Sequence, residues 1–277
     1  MKIRAVQFSP ALGNVSKNME YHRIQIKKAI ADNCDLIIFP ELSLSGYHLK
    51  DIVYEIALNP ESKEIAELAE LSKKIDIVVG LPYEQSPGII YNSALYFSRG
   101  KCLHNHKKVQ LPNFGMFQEE MIFKAGNTFK SFKIKNFTVG MIICREILFP
   151  VHAYLYYLQG VDFLVGISNS PFRGLKKDHF ASLQLWEKMG YVCSVFYHQH
   201  YIYVNRTGFE DGIGFTGGSF FARSGKGIEK KAKYFEEDEI DFEMNLEDVS
   251  KARIAGNYLR DEKPEIILKE LKRILNA

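Results

Sequence analysis

Residues 139–150 read Val-Gly-Met-Ile-Ile-Cys-Arg-Glu-Ile-Leu-Phe-Pro. Five apolar residues of strand length run up to Cys144, and the chain then turns charged at Arg145 and Glu146. This is the pattern of a buried strand that emerges at the edge of a sheet. A helix is expected over 150–159 and another apolar run spans Phe163 to Ile167, so the order is strand, helix, strand. Outward from there, similar runs recur at Ile3 to Phe8, Leu36 to Phe39, Ile75 to Leu81, Ser93 to Phe97 and Val192 to Val204. Segments with helical spacing lie between some of them, at roughly 16–32, 61–74, 175–190 and 264–275. In 61–74, Ile65, Leu68, Ala69 and Ser72 share one face.

Some strands are joined by turns instead of helices. Arg99-Gly100 separates ALYFS from KCLHNHKK, and Ser224-Gly225-Lys226-Gly227 follows GGSFFAR, which makes the sheets mixed and not a simple βαβ repeat. With no internal repeat and no Ser/Pro/Gly linker, residues 1–277 are expected to form a single domain of sheets covered by helices. The acidic stretch 236–243 carries alternating Ile240, Phe242 and Met244, the pattern of an edge strand with one solvated face.

A length of 277 residues, 46% hydrophobic and 25% charged residues, and 20 Gly with 9 Pro fit an average folded protein and exclude disordered and collagen-like classes. The net charge of +3 is far below that of a dedicated nucleic-acid binder. Cys34, Cys102, Cys144 and Cys193 are sparse and lack C-x-x-C pairing, so neither a disulfide framework nor a zinc knuckle is expected, and a cytoplasmic location is. No secretory leader and no apolar run of about 18 residues is visible, so no membrane span is expected.

Cys144 at its strand end is placed to be rigid yet reachable, as a nucleophile must be, although a lone cysteine there also suits a small core residue. A thiol nucleophile needs a base and donors for the oxyanion. Glu41 directly follows the apolar LIIF run and Pro40, and Lys108 follows a strand and precedes Leu111-Pro112. Both stand at strand ends, where α/β frameworks carry their chemistry. The pairs His104/His106 and His198/His200 each share one strand face, but neither has a nearby acidic third ligand in sequence and no H-E-x-x-H occurs, so no metal is expected.

Three ordered motifs, FPELSLSGY (39–47), KVQLPNFGMFQEE (108–120) and GMIICREILFP (140–150), resemble the nitrilase, or carbon–nitrogen hydrolase, superfamily. Within it the text is most similar to the glutaminase domain of glutamine-dependent NAD synthetase, through PELSLSGYHLKDI (40–52), KVQLPNFGMFQEEMIF (108–123), ISNSPFRGLKKDHF (167–180) and VNRTGFEDGIGFTGGSFF (204–221). No stretch remains for an ATP-dependent synthetase domain, so that full activity is not expected. The chain departs from the family at Glu146, where aspartate is common, at Val151 after FP, at Phe114 in LPNF and at Gln118 in FQE.

The resemblance implies an αββα four-layer sandwich, two mixed sheets packed face to face with outer helices. It implies a Glu41-Lys108-Cys144 triad with Glu119 as a second glutamate, Glu120 being the alternative. Glu41 would take the thiol proton, and Lys108 and the N–H of Arg145 would meet the oxyanion. Phe114, Asn169, Ser170 and Phe172 are implied as pocket walls and Tyr47 as a supporting aromatic near Glu41. A cysteine amidase that releases ammonia from a small linear amide is expected, as a homo-oligomer, without metal or organic cofactor and without nucleic-acid or membrane partners. The alternatives are an N-carbamoyl amine or amino acid amidohydrolase, a stand-alone ammonia-supplying glutaminase-like subunit, or a non-catalytic homologue.

Overall fold

The computed structural model describes residues 1–276 other than 173, 174, 177 and 178. Numbered in chain order, the first six-stranded sheet runs β16 (Asp238–Glu243), β1 (Lys2–Gln7), β2 (Leu36–Ile38), β3 (Asp76–Ser86), β4 (Ile89–Ser98) and β5 (Lys101–Lys107). The second runs β15 (Gly227–Lys231), β14 (Phe220–Arg223), β11 (His200–Asn205), β8 (Phe163–Ser168), β7 (Phe137–Ile143) and β6 (Phe132–Ile134). Two short hairpins, β9 (Leu175–Lys176) with β10 (His179–Phe180) and β12 (Thr207–Glu210) with β13 (Ile213–Thr216), lie beside them. Both sheets are mixed: β1, β2 and β3 pair in parallel, as do β7, β8 and β11, and their flanking strands are antiparallel.

The alternation of side chains along each strand builds the layers. Ile3, Ala5, Leu36, Ile38 and Val78 of the first sheet share one buried cluster with Val139, Met141, Val165, Ile202 and Val204 of the second, so those two faces meet. The opposite face of the first sheet, with Val6, Ile37, Ile77 and Val79, packs on Met19 and Ile26 of α1 (Val15–Ala31) and on Leu68 of a helix at Lys63–Leu71. The outer face of the second sheet, with Ile142, Leu164, Tyr201 and Tyr203, packs on Tyr156 of the helix Pro150–Leu158 and on Trp186 and Met189 of the helix Ala181–Tyr191. Helix, sheet, sheet and helix stack in that order, the architecture expected from the sequence.

Most elements fall where the apolar periodicity puts them. The helix expected over 175–190 runs Ala181–Tyr191 and is preceded by the β9/β10 hairpin; four positions of the 167–180 motif, 173, 174, 177 and 178, lie outside the described residues. The run Val192 to Val204 is not one strand. Val192–Phe196 continues the preceding helix as a π-helical turn, with Ser194 Oγ donating to Gly190 O at 2.7 Å, and β11 starts only at His200. Apolar content alone does not separate a buried helix end from a strand. The acidic segment does form an edge strand, β16, with Ile240 and Phe242 buried against the inner core.

Gly80 on β3 lets the loop that carries Glu41 cross the first sheet. A Cβ there would stand 2.4 Å from Leu42 N, 2.6 Å from Pro40 O and 2.7 Å from Glu41 Cα, so only a glycine allows the 40–42 backbone to lie across the strand. We predict that Gly80→Ala lowers stability by about 1–3 kcal/mol through overpacking, read as a lower urea midpoint; an unchanged midpoint would show that the 40–42 loop does not need this approach.

Candidate active site

Four strands deliver the site at their C-terminal ends. Glu41 follows β2, Lys108 follows β5, Cys144 follows β7 and Asn169 follows β8, so residues far apart in sequence converge at one end of the two sheets. The Lys108 backbone is fixed on both sides, its N–H donating to Asn92 O at 2.9 Å and its carbonyl accepting from Gly126 N at 2.8 Å. Cys144 has φ +45° and Leu42, next to Glu41, has φ +46°. A leucine or cysteine holds this conformation only at an energetic cost that the surrounding structure must cover.

Lys108, Glu41 and Glu119 form one buried charge cluster. The Lys108 ammonium donates to Glu41 Oε1 at 2.7 Å and to Glu119 Oε1 at 2.8 Å, and its side chain is fully buried. Glu41 Oε1 also accepts from Asn92 Nδ2 at 2.7 Å, and Glu41 Oε2 accepts from Asn169 N at 2.7 Å. Tyr47 OH donates to Glu119 Oε1 at 2.6 Å. Burial works against the charge of Lys108, but Glu119 and Glu41 outweigh it and hold the ammonium above the ordinary lysine range. Burial lifts Glu119 up to about 7 even though Lys108 pulls the other way. Burial, followed by the Glu41 carboxylate, pushes the Cys144 thiol up to about 12, against the pull of Lys108 and the Ser168 hydroxyl. Near neutral pH the thiol therefore keeps its proton until a base removes it.

Two further carboxylates brace the loops. Glu146, fully buried, accepts from Ile143 N at 2.6 Å, Val109 N at 2.6 Å and His106 Nε2 at 2.8 Å. It thereby ties the chain on either side of Cys144 to the chain on either side of Lys108. Burial would raise its pKa, but His106 and the two N–H donors hold it below the ordinary carboxylate value. Glu210 accepts from Tyr47 N at 2.8 Å and His48 N at 2.6 Å and pairs with Arg206. Burial opposes its charge, but His48 and Arg206 bring it down to about 2.

Cys144 opens into a cavity of about 170 Å³ lined by Phe114, Phe117, Arg145, Leu148, Ser170 and Trp186, among others. It is smaller than the usual ~300–1,000 Å³ of a drug-sized ligand site, which suits a short substrate. Ser170 is fixed by Trp186 Nε1, which donates to its Oγ at 2.7 Å, and by its own N–H on Asn205 Oδ1 at 2.9 Å. A larger cleft of about 320 Å³ lies at the opposite ends of β2 and β3, around Asp35, Asp76 and Lys101, and holds none of these residues.

Of the residues expected from the sequence, Glu41, Lys108 and Glu119 are hydrogen-bonded together, and Phe114, Arg145 and Ser170 line the cavity with Cys144. Tyr47 donates its hydroxyl hydrogen bond to Glu119; burial and Glu119 raise its pKa, and Glu41 lies near enough for that carboxylate to add to the rise. Asn169 serves Glu41 through its backbone, and both polar atoms of its buried side-chain amide have no partner, as is true of Glu119 Oε2. Phe172 lies outside this cavity, with its ring 6.2 Å from that of Phe209 and 6.0 Å from that of Phe235. Glu120 is exposed and accepts from Asn113. His106 has an acidic partner after all, Glu146, supplied by another loop; His200 bonds Asn245 O and His198 stacks on Tyr258. Among the described residues, no group of three or more His, Cys, Asp or Glu could hold a metal ion. Asn92 is not among the residues expected from the sequence: a single amide inside an apolar strand carries no signal of its own.

The family model for carbon-nitrogen hydrolase matches residues 2–254. A glutamine-dependent NAD(+) synthetase of Thermotoga maritima is 29% identical over 255 residues, covering 90% of this chain and 42% of the relative. The solved glutamine-dependent NAD+ synthetase of Acinetobacter baumannii is 28% identical at a TM-score of 0.76, covering 87% of this chain and 44% of that one. The chain thus spans about half the length of these relatives. An amidase from Nesterenkonia sp. AN1, 18% identical, superposes at a TM-score of 0.81 over 97% of this chain and 99% of its own, which is a likeness of fold. No described helix is long and apolar enough to cross a membrane.

The Glu146 brace yields a prediction with a definite sign. Because its folded pKa lies below the ordinary value, its contribution to stability is present above the ordinary carboxylate range and is lost as pH falls through the folded value. Glu146→Gln should lower stability at pH 7 by about 1–3 kcal/mol, with the gap to wild type closing on acidification. Chemical denaturation at a series of pH values reads this; a gap that stays constant with pH would refute the charged brace.

Proposed function

Because this chain belongs to the carbon–nitrogen hydrolase family, we propose that it is an amidase that cleaves a small linear amide through a thioester on Cys144 and releases ammonia. The observation that carries this reading is the cluster of Lys108 with Glu41 and Glu119, buried beside a cysteine that opens into a small cavity.

In the proposed reaction, Glu41 takes the proton of the Cys144 thiol as sulfur attacks the amide carbonyl. A proton acceptor is required, since the thiol is held up near 12 by burial. The carbonyl π pair becomes an oxyanion, met by the Lys108 ammonium and the N–H of Arg145, the first after the nucleophile. Collapse reforms the carbonyl, breaks the C–N bond and returns the proton from Glu41 to the leaving nitrogen, which departs as ammonia. Water, deprotonated by Glu41, then attacks the thioester; the carboxylic acid leaves and the thiol regains its proton. Amide plus water gives acid plus ammonia, and every transfer uses groups of this chain. Glu119 and Tyr47 hold Lys108 against its own desolvation.

A second reading is favoured by the likeness to glutamine-dependent NAD(+) synthetases: the amide is glutamine and the ammonia passes to a partner. Ammonia release from glutamine, against a panel of simple amides, separates the two. Either reading includes a homo-oligomer, supported by the exposed apolar pairs Val151/Leu155 and Ile267/Leu271 on helical stripes; sedimentation velocity tests it, and a monomer at micromolar concentration would contradict it.

Cys144→Ala should abolish ammonia release, while Ala at Cys34, Cys102 or Cys193 should preserve it. Lys108→Met should lower the rate by about 10²-fold or more, as for loss of one oxyanion donor, and Arg should not restore it because a planar fork does not replace a compact ammonium in this packing. Near wild-type rates in Cys144→Ala or Lys108→Met would remove the proposed chemistry.

A further inference from the structure

We propose that the Arg145 side chain makes the site select an amide whose far end is a carboxylate with no ammonium beside it: the monoamide of a short dicarboxylic acid. The inference rests on the amidase reading and names the substrate class of the same cavity.

Arg145 directly follows the nucleophile and lines the cavity together with Cys144. Its guanidinium lies 4.8 Å from the centre of the Phe114 ring and 5.3 Å from that of Phe149. Among the described residues these ring contacts are what hold it, with no carboxylate in ion-pair range. Lys108, the other cation of the site, is paired with Glu41 and Glu119 and in the amidase reading serves the oxyanion, which leaves Arg145 as the cation for the far end of the substrate. The remaining described lining, Pro112, Phe117, Leu148, Pro171, Leu185 and Trp186 beside Ser170, carries no charge. A cation pinned by aromatic rings at an apolar cavity, with its hydrogen-bond fork unused, suits a carboxylate, which an arginine binds with two parallel N–H···O bonds. An ammonium at that end meets a like charge and no described carboxylate, so the cavity discriminates against it. The cavity of about 170 Å³ suits a substrate with a short acyl chain. Free glutamine has the carboxylate but adds an ammonium, and is disfavoured.

Calorimetry on the Cys144→Ala protein tests this without turnover, using succinamic acid, glutaramic acid, butyramide and glutamine as probes. The better of the two monoamides should bind at least tenfold more tightly than butyramide, and glutamine no more tightly than butyramide. Adding Arg145→Ala should bring the monoamide-to-butyramide ratio to within about twofold of one. Equal binding of monoamides and butyramide, no measurable binding of either monoamide, tightest binding of glutamine, or a ratio unmoved by Arg145→Ala would each overturn the assignment. Ammonia release by wild-type protein is measured in parallel. Selective monoamide binding without ammonia release would overturn the amidase reading and leave the carboxylate site standing, whereas ammonia release without selectivity would do the reverse.

Discussion

The Lys108 ammonium held between Glu41 and Glu119 is the constraint to which the rest of the molecule answers. Three ionisable groups sit out of water, the ammonium within 2.8 Å of both carboxylates, an arrangement whose desolvation is repaid only when geometry and further hydrogen bonds are near ideal. Asn92, Asn169 N–H and Tyr47 supply those bonds. Removing any one partner leaves a buried charge uncompensated, so the cluster demands a rigid frame, and the face-to-face sheets provide it. Glu41 and Lys108 stand at strand ends whose neighbours are fixed by ladder hydrogen bonds and by an inner core drawn from both sheets.

Around the cluster, the loops are locked by carboxylates that take no part in the proposed chemistry. Glu146 gathers donors from the segments bearing Cys144 and Lys108, and Glu210 gathers the N–H groups of Tyr47 and His48. Both lie below the ordinary carboxylate range, the opposite of Glu119, which burial lifts. The two sets differ in their donors: Glu146 and Glu210 each accept from two backbone N–H groups, while Glu119 accepts only from the Lys108 and Tyr47 side chains, shares that cation with Glu41 and leaves Oε2 without a partner. Carboxylates of the same type thus divide into braces and a group that titrates near neutrality.

Much of this is legible in the sequence because the chemistry sits where apolar runs stop. Glu41, Lys108 and Cys144 each interrupt a strand pattern with a charge or a thiol, and strand ends are where periodicity is easiest to read. Asn92 is not legible: it lies inside an apolar strand, and its importance comes from Glu41, 51 positions away. Glu146 is visible only as a departure from a family pattern, because the donors it collects belong to two stretches far apart in sequence, at His106 and Val109 and at Ile143. The Val192 to Val204 run reads as strand in the sequence, yet its first residues bury apolar surface equally well as a π-helical turn. Phe172, expected as a wall, packs among Phe209 and Phe235 instead; an aromatic's partners depend on loop paths that spacing does not encode.

The proposed chemistry stands on Cys144 being acylated. Wild-type protein mixed with a turned-over amide and quenched in acid within one turnover should show, by intact-mass spectrometry, an added mass equal to the amide less ammonia, and peptide mapping should place it on Cys144. Ammonia released with no such adduct at any quench time, or an adduct on a different residue, would contradict it.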